Sequence, residues 1–260
     1  MTAAEDEAAR RYVEHEALPM TTFGPLGEFG SAAVANDNRA AMGSGMSDVD
    51  PEGLFLAATR ETQVGDYMFP RRRKGSYIST YTGRFFPMDP RASEVRIEDI
   101  AHSLAAIARF GGATSKKYCV GEHSVHISNW LLPRYGVNAA LHGLLHDAPE
   151  ALSGFNDVQR PSKIHVPQIK AIEDGIWLAV AAAFGLSPYI PECVHEADNR
   201  IIADEMAQGM WESDPEYREP LGVKLEFWTP EVAEIYFLDM FRRLQNMRVA
   251  ALEIHQVHAA

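Results

Sequence analysis

The chain has 260 residues, 46% hydrophobic and 23% charged, with a formal net charge of -12. That is ample apolar material for one generous globular domain with appendages, while the acidic balance argues against a protein that coats extended nucleic acid, whose phosphates require a positive surface. A small anionic substrate stays compatible, because a metal and a few basic residues set the local field.

Two cysteines, Cys119 and Cys193, give no disulfide framework and fit a reducing compartment. No run resembles a membrane span and the N-terminus lacks a basic-then-apolar leader, so the expectation is a cytoplasmic protein without membrane contact. Residues 1–75 read as a flexible, largely irregular N-terminal arm or linker. The stretch MTAAEDEAARRYVEHEA has the composition of a short surface helix, 21–50 is rich in Gly, Ala, Ser, Asn and Asp, and 54–59 suits a short docking helix. The basic run Arg71-Arg72-Arg73-Lys74 reads as a solvated flank.

Ordered structure is expected over 76–260. The segment YISTYTGRFFPMDP, with its Thr82-Gly83 turn signal, predicts a small β-hairpin. Helical periodicity then takes over: 97–110, ending before Gly111-Gly112; 121–132, closed by Pro133; 137–152; 166–184, ending at Gly185; 191–211; and 230–249. The predicted fold is an all-α bundle of about six helices with a β-hairpin before it. The apolar face of the last helix (Val232, Ile235, Tyr236, Leu238, Met240) suits either its own core or a homodimer or higher homo-oligomer.

Chemistry concentrates in HGLLHDAPEALSGFNDVQR, 142–160. The adjacent His146-Asp147 pair offers a nitrogen and an oxygen ligand, too few to hold a divalent ion alone. His123, in VGEHSVHISNWL, and Asp198, in VHEADNRIIADEM, are the natural further donors. The order His…His-Asp…Asp, each on a helix-like segment, points to a metal-dependent hydrolase. His126 shares a helix face with His123 and suits a structural role. His142 and His146 have the spacing of an HExxH protease motif, but the Glu position holds Gly143, so that reading fails and His142 is assigned to the core or to support of the ligands. His195, one turn before Asp198, is a supporting group or alternative ligand, and His102, His165, His255 and His258 default to surface or core.

The order EHS at 122–124, HDAPE at 146–150 and EAD at 196–198 resembles the HD-domain phosphohydrolases, most nearly the bacterial 5'-deoxynucleotidase branch and related phage and bacterial HD proteins. The resemblance covers 97–210. It implies an HD-domain helical bundle and one divalent metal held by His123, His146, Asp147 and Asp198, its identity open among Co, Mn, Fe, Ni and Zn. Glu150 takes the place of that branch's catalytic glutamate, working with Asp147. Arg109 and Phe110 match its Arg-aromatic pair for phosphate and base or sugar, with Phe where the branch has Trp. Asp157 matches a sugar-contacting aspartate, displaced by Phe155-Asn156. Lys116, Arg160 and Lys163 are further phosphate contacts, and Lys117 lies on the same loop as Lys116.

The implied activity is removal of the 5'-phosphate from (deoxy)nucleoside monophosphates. Release of triphosphate from dNTPs is the alternative within the same chemistry. A regulatory nucleotide-binding module without turnover is disfavoured by Glu150, and a di-iron oxygenase by the scarcity of histidines between Asp147 and Asp198, where only His165 and His195 occur.

Overall fold

The computed structural model describes residues 73–217 and 219–259, with side chains described to residue 251. Residues 1–72 of the expected arm over 1–75, with its two short helices, Arg71 and Arg72, and the side chains of His255 and His258 lie outside the described residues. Of the basic run, Arg73 is half-buried rather than freely solvated: it pairs with Glu94 and donates to the Asp89 carbonyl at 3.0 Å.

The described chain is helical, preceded by a small hairpin. Strands β1 (Ile78–Ser79) and β2 (Arg84–Phe85) pair antiparallel, Ile78 opposite Phe85, around the expected Thr82-Gly83 turn, where Thr80 N–H donates to the Gly83 carbonyl at 3.0 Å. Asp99, on the next helix, accepts from the Thr80 and Thr82 hydroxyls and from Thr82 N–H, tying the hairpin to the bundle. The helices are α1 (Ile97–Ala106), α2 (Val120–Leu145), α3 (Ala148–Ser153), the single turn α4 (Arg160–Lys163), α5 (Pro167–Phe184), α6 (Glu192–Gly209) and α7 (Pro230–Ala259). Six of them exceed one turn, matching the expected bundle among the described residues. None is long and apolar enough to cross a membrane. α2 packs on α6 and α7, α1 on α2, α3 and α7, and α3 on α5, around fully buried Ile100, Leu104, Ile127, Leu141, Leu144 and Phe237.

Several boundaries differ from the sequence reading, each for a local reason. α1 stops at Ala106 instead of 110 because the chain turns extended to pair back: Ala108 bridges Cys119, and Arg109 N–H donates to the Tyr118 carbonyl at 3.0 Å. The helix predicted to close at Pro133 runs on and breaks instead at Gly136, whose φ of 82° and ψ of -177° are open to glycine alone. There the chain folds back on itself. The Ser128 hydroxyl reaches the Ala140 carbonyl at 2.9 Å, and Gly143 lies so close to Ile127 and Leu131 that a Cβ would fall 2.5 Å from the Leu131 side chain. The predicted helix 137–152 is split at His146-Asp147. Pro149 lacks the N–H that would bond the Leu145 carbonyl and its ring would crowd that carbonyl in a continuous helix, and Asp147 sits outside the helical region at φ -92°, ψ 6°.

α7 continues ten residues past the predicted end at 249. Its predicted apolar face divides. Met240 joins Ala233, Phe237, Phe241 and Leu244 in the core, Leu238 is half-buried, and Val232, Ile235 and Tyr236 face outward.

Candidate metal centre

The reversal at Gly136 positions the site. It brings the start of α2, with His123, beside its end, with His146, and the two ring centroids lie 5.4 Å apart. α6 closes the third side with Asp198. Donor atoms of His123, His146 and Asp198 all lie within 4.8 Å of one another, a group that could hold a metal ion. Asp198 Oδ1 is 3.2 Å from His123 Nε2 and 3.7 Å from His146 Nε2. Asp147 is the looser fourth member. Its Oδ2 lies 3.5 and 3.3 Å from the same two nitrogens, but it falls outside the mutual group.

The donor set fits a cation. His123 Nε2, His146 Nε2 and Asp147 Oδ2 are all buried and make no aligned hydrogen bond, an expensive arrangement unless something else satisfies them. Ligands bound at about 2.1 Å and roughly 90–110° apart are separated by about 3–3.4 Å, close to the spacings here. The opposite ring nitrogens are engaged: His146 Nδ1 faces the Gly143 carbonyl at 2.8 Å and His123 Nδ1 faces Glu205 Oε1 at 2.7 Å. A carbonyl or an ionised carboxylate only accepts, so each Nδ1 carries the hydrogen and each Nε2 turns its lone pair to the centre when the ring is neutral. Burial opposes the charged His146 ring, but Asp147 and Asp198 overcome it and hold its pKa at about 9.

No family model matches the chain. Over 131 residues, 50% of this chain and 70% of the relative, it is 35% identical to the uncharacterized protein YfdR of Escherichia coli K12. This chain belongs to the YfdR family. It is also 35% identical to the uncharacterized Rhodobacter capsulatus protein RCAP_rcc00048 over 116 residues, which is 42% of this chain and 58% of that protein.

Around the centre of this YfdR-family chain, the other sequence-selected residues fall into three places. Arg109, Phe110 and Asp157 come together: Arg109 Nη1 lies 3.6 Å from Asp157 Oδ2, which also accepts from Phe110 N–H at 3.1 Å. Phe110 is held at a φ of 55°, and the Arg109 guanidinium stands 5.1 Å from its ring. A cavity of about 530 Å³ opens here, lined in part by Ala108, Ala151, Phe155, Asn156 and Asp157.

Glu150 and Lys163 form the second place. Lys163 Nζ is 3.4 Å from Glu150 Oε1 and 3.0 Å from Glu173 Oε1. Glu150 is buried and its Oε2 has no hydrogen-bond partner. Burial, then Asp147 and Asp157, push its carboxyl up to about 9.

The remaining residues lie outside these two groups. Arg160 is exposed, bonding Asn199 at 2.8 Å and lying 3.9 Å from Asp198 Oδ2. Lys116 is exposed with its ammonium 5.0 Å from the Phe227 ring, and no contact joins it to the centre. His195 and His165 are exposed. His126 faces Glu122 and stacks on Trp228, while His142 is buried with its nitrogens against the Asn138 and Ser187 carbonyls.

Two completely buried carboxylates were not singled out by the sequence pattern. Glu205, seven residues after Asp198 and so two turns on along one face of α6, bonds both His123 and, at 3.2 Å, Arg109. Burial would raise its pKa, but Arg109 and His123 hold it at about 2. Spacing was the available signal. Glu122 accepts from the N–H groups of Glu226, Phe227 and Trp228, fastening that segment to the start of α2.

Proposed function

We propose that this chain is a metal-dependent phosphohydrolase acting on nucleotides, removing the 5'-phosphate of (deoxy)nucleoside monophosphates. The observation that carries this reading is the convergence of bare, buried His123 and His146 nitrogens with Asp147 and Asp198, beside a buried arginine and a buried carboxyl. These four residues would hold one divalent cation, with Co, Mn, Fe, Ni and Zn all compatible with mixed nitrogen and oxygen ligation. When bound, it would supply positive charge against phosphoryl oxygens and acidify a water at neutral pH.

The chain's own groups do the rest. Arg109 is kept firmly charged: burial opposes the cation, but Glu205, Asp157, Asp147 and Asp198 more than offset it. In this reading it would face a phosphoryl oxygen and stabilise charge as the P–O bond breaks. Glu150, steadied by Lys163, holds a proton or exchanges one with the attacking water or the departing oxygen. The cavity beside Asp157, at about 530 Å³, offers room for a sugar and base.

The test is a screen of nucleoside mono- and triphosphates with each metal, reading phosphate and triphosphate release. Orthophosphate from monophosphates is expected, and Glu150→Ala should bind metal normally while losing about 10²–10⁴ in turnover. Release of triphosphate would move the reading to the dNTP reaction. No hydrolysis by a metal-loaded chain, or near-native turnover in Glu150→Ala, would overturn the corresponding role.

A further inference from the structure

We propose that Glu205 is a positioning residue serving two functional groups at once, fixing the His123 ring with its Nε2 toward the metal centre and holding the Arg109 guanidinium beside that centre. The Arg109 half of this role rests on the phosphohydrolase reading; the His123 half rests only on the metal centre.

Glu205 is completely buried, with Oε1 2.7 Å from His123 Nδ1 and Oε2 3.2 Å from Arg109 Nη2. One oxygen faces the imidazole and the other the guanidinium, and the buried Tyr118 hydroxyl also lies against this carboxylate. α6 therefore supplies a carboxylate for the centre, Asp198, and two turns later the carboxylate that orients the imidazole facing it. Stability is a poor explanation for such a group. A buried ion pair is often replaced by well-packed apolar residues at no cost, whereas partners that orient a ligating imidazole raise its basicity and fix its tautomer. Arg109 would otherwise have Asp157 as its one ionic partner among the described contacts, at 3.6 Å.

The chemistry of the side chain makes the role testable. A carboxylate has two acceptor oxygens and no donor. Glutamine has one acceptor and one donor. In Glu205→Gln the amide can accept from His123 only by turning its NH₂ on Arg109. Accepting from Arg109 instead presents N–H to His123 Nδ1, forcing the ring hydrogen onto Nε2 and into the centre. Either choice spoils one of the two arrangements.

The experiment compares the full chain with its Glu205→Gln and Glu205→Asp variants. It measures Zn²⁺ and Co²⁺ dissociation constants by calorimetry, the His123 tautomer by ring ¹⁵N shifts, and nucleotide KM. Glu205→Gln is expected to remain folded, to lose about 10- to 100-fold in metal affinity, and to show a displaced His123 tautomer or a raised KM. Glu205→Asp should recover part of the loss. Should Glu205→Gln fail to fold, Glu205→Asp carries the test through the same readouts, since its carboxylate is one methylene short of spanning both partners. Metal affinity within about twofold of the wild type, or a lowered Tm alone, overturns the role. A wild-type chain that binds metal but hydrolyses no nucleotide would sink the phosphohydrolase reading and leave the His123 half intact.

Discussion

Glu122 and His123 are neighbours in sequence, both completely buried at the start of α2, yet their polar atoms are treated in opposite ways. The Glu122 carboxylate is saturated: Glu226 and Phe227 N–H groups reach Oε1 at 2.7 and 3.0 Å, and Trp228 N–H reaches Oε2 at 2.6 Å. Its pKa is lowered, because the His126 and backbone hydrogen bonds outweigh the burial that would raise it. His123 has one nitrogen committed to Glu205 and the other pointing, unpaired, at equally unpaired atoms of His146 and Asp147. A saturated buried charge organises backbone. Bare atoms from separate elements that converge on one point could hold a ligand.

The contrast can be broken by mutation. Glu122→Ala should have the largest effect, a loss of about 3–5 kcal/mol, since the backbone donors of 226–228 lose their acceptor; chemical denaturation of the metal-free protein measures it. Asp198→Ala should do the reverse, keeping a folded chain by circular dichroism while weakening metal binding by more than about a hundredfold, beyond the loss expected for an orienting partner. If both variants lost stability equally and metal affinity equally, the distinction between the two residues would be empty. Gly136→Ala should cost about 1–3 kcal/mol by straining the reversal that joins the two histidines, and metal affinity should fall with it.

Acidity sharpens the same comparison. The His146 pKa of about 9 is above the ordinary 6.5, so in metal-free protein its stabilisation is complete below 6.5 and is lost as the pH rises through 9. A cation must displace that proton. Metal affinity should therefore climb from pH 6.5 to 9 with measurable proton release, which calorimetry in buffers of different ionisation enthalpy reads directly. The smallest effect is expected at Lys116. Lys116→Ala should leave metal binding unchanged and stability within about 0.5 kcal/mol, because that side chain meets the Phe227 ring and not the centre.

Local chemistry made much of this legible. Gly185, left-handed at φ 63°, ends α5 as its glycine signalled, Pro191 caps the start of α6 and Pro230 opens α7, and the Thr82-Gly83 turn made the hairpin. Spacing marked the residues that the fold gathers at the centre. What escaped was tertiary. Whether the chain reversed at Pro133 or Gly136 depended on how Gly143 packs against Ile127 and Leu131. Reading 137–152 as one helix passed over Pro149, a break signal present in the sequence. The inward turn of Arg109 comes from its pairing with Tyr118, and Glu205 and Glu122 are defined by partners 82 and 104 or more residues away. Helical periodicity shows which face is apolar, not which buried acid meets which donor.

The most direct test is metal stoichiometry on the purified full chain, measured by elemental analysis and titration beside the His123→Ala, His146→Ala double variant. One divalent ion per wild-type chain and none in the folded double variant is the predicted result. A wild-type protein that takes up no divalent ion at pH 8, or a double variant that binds as the wild type does, would contradict it.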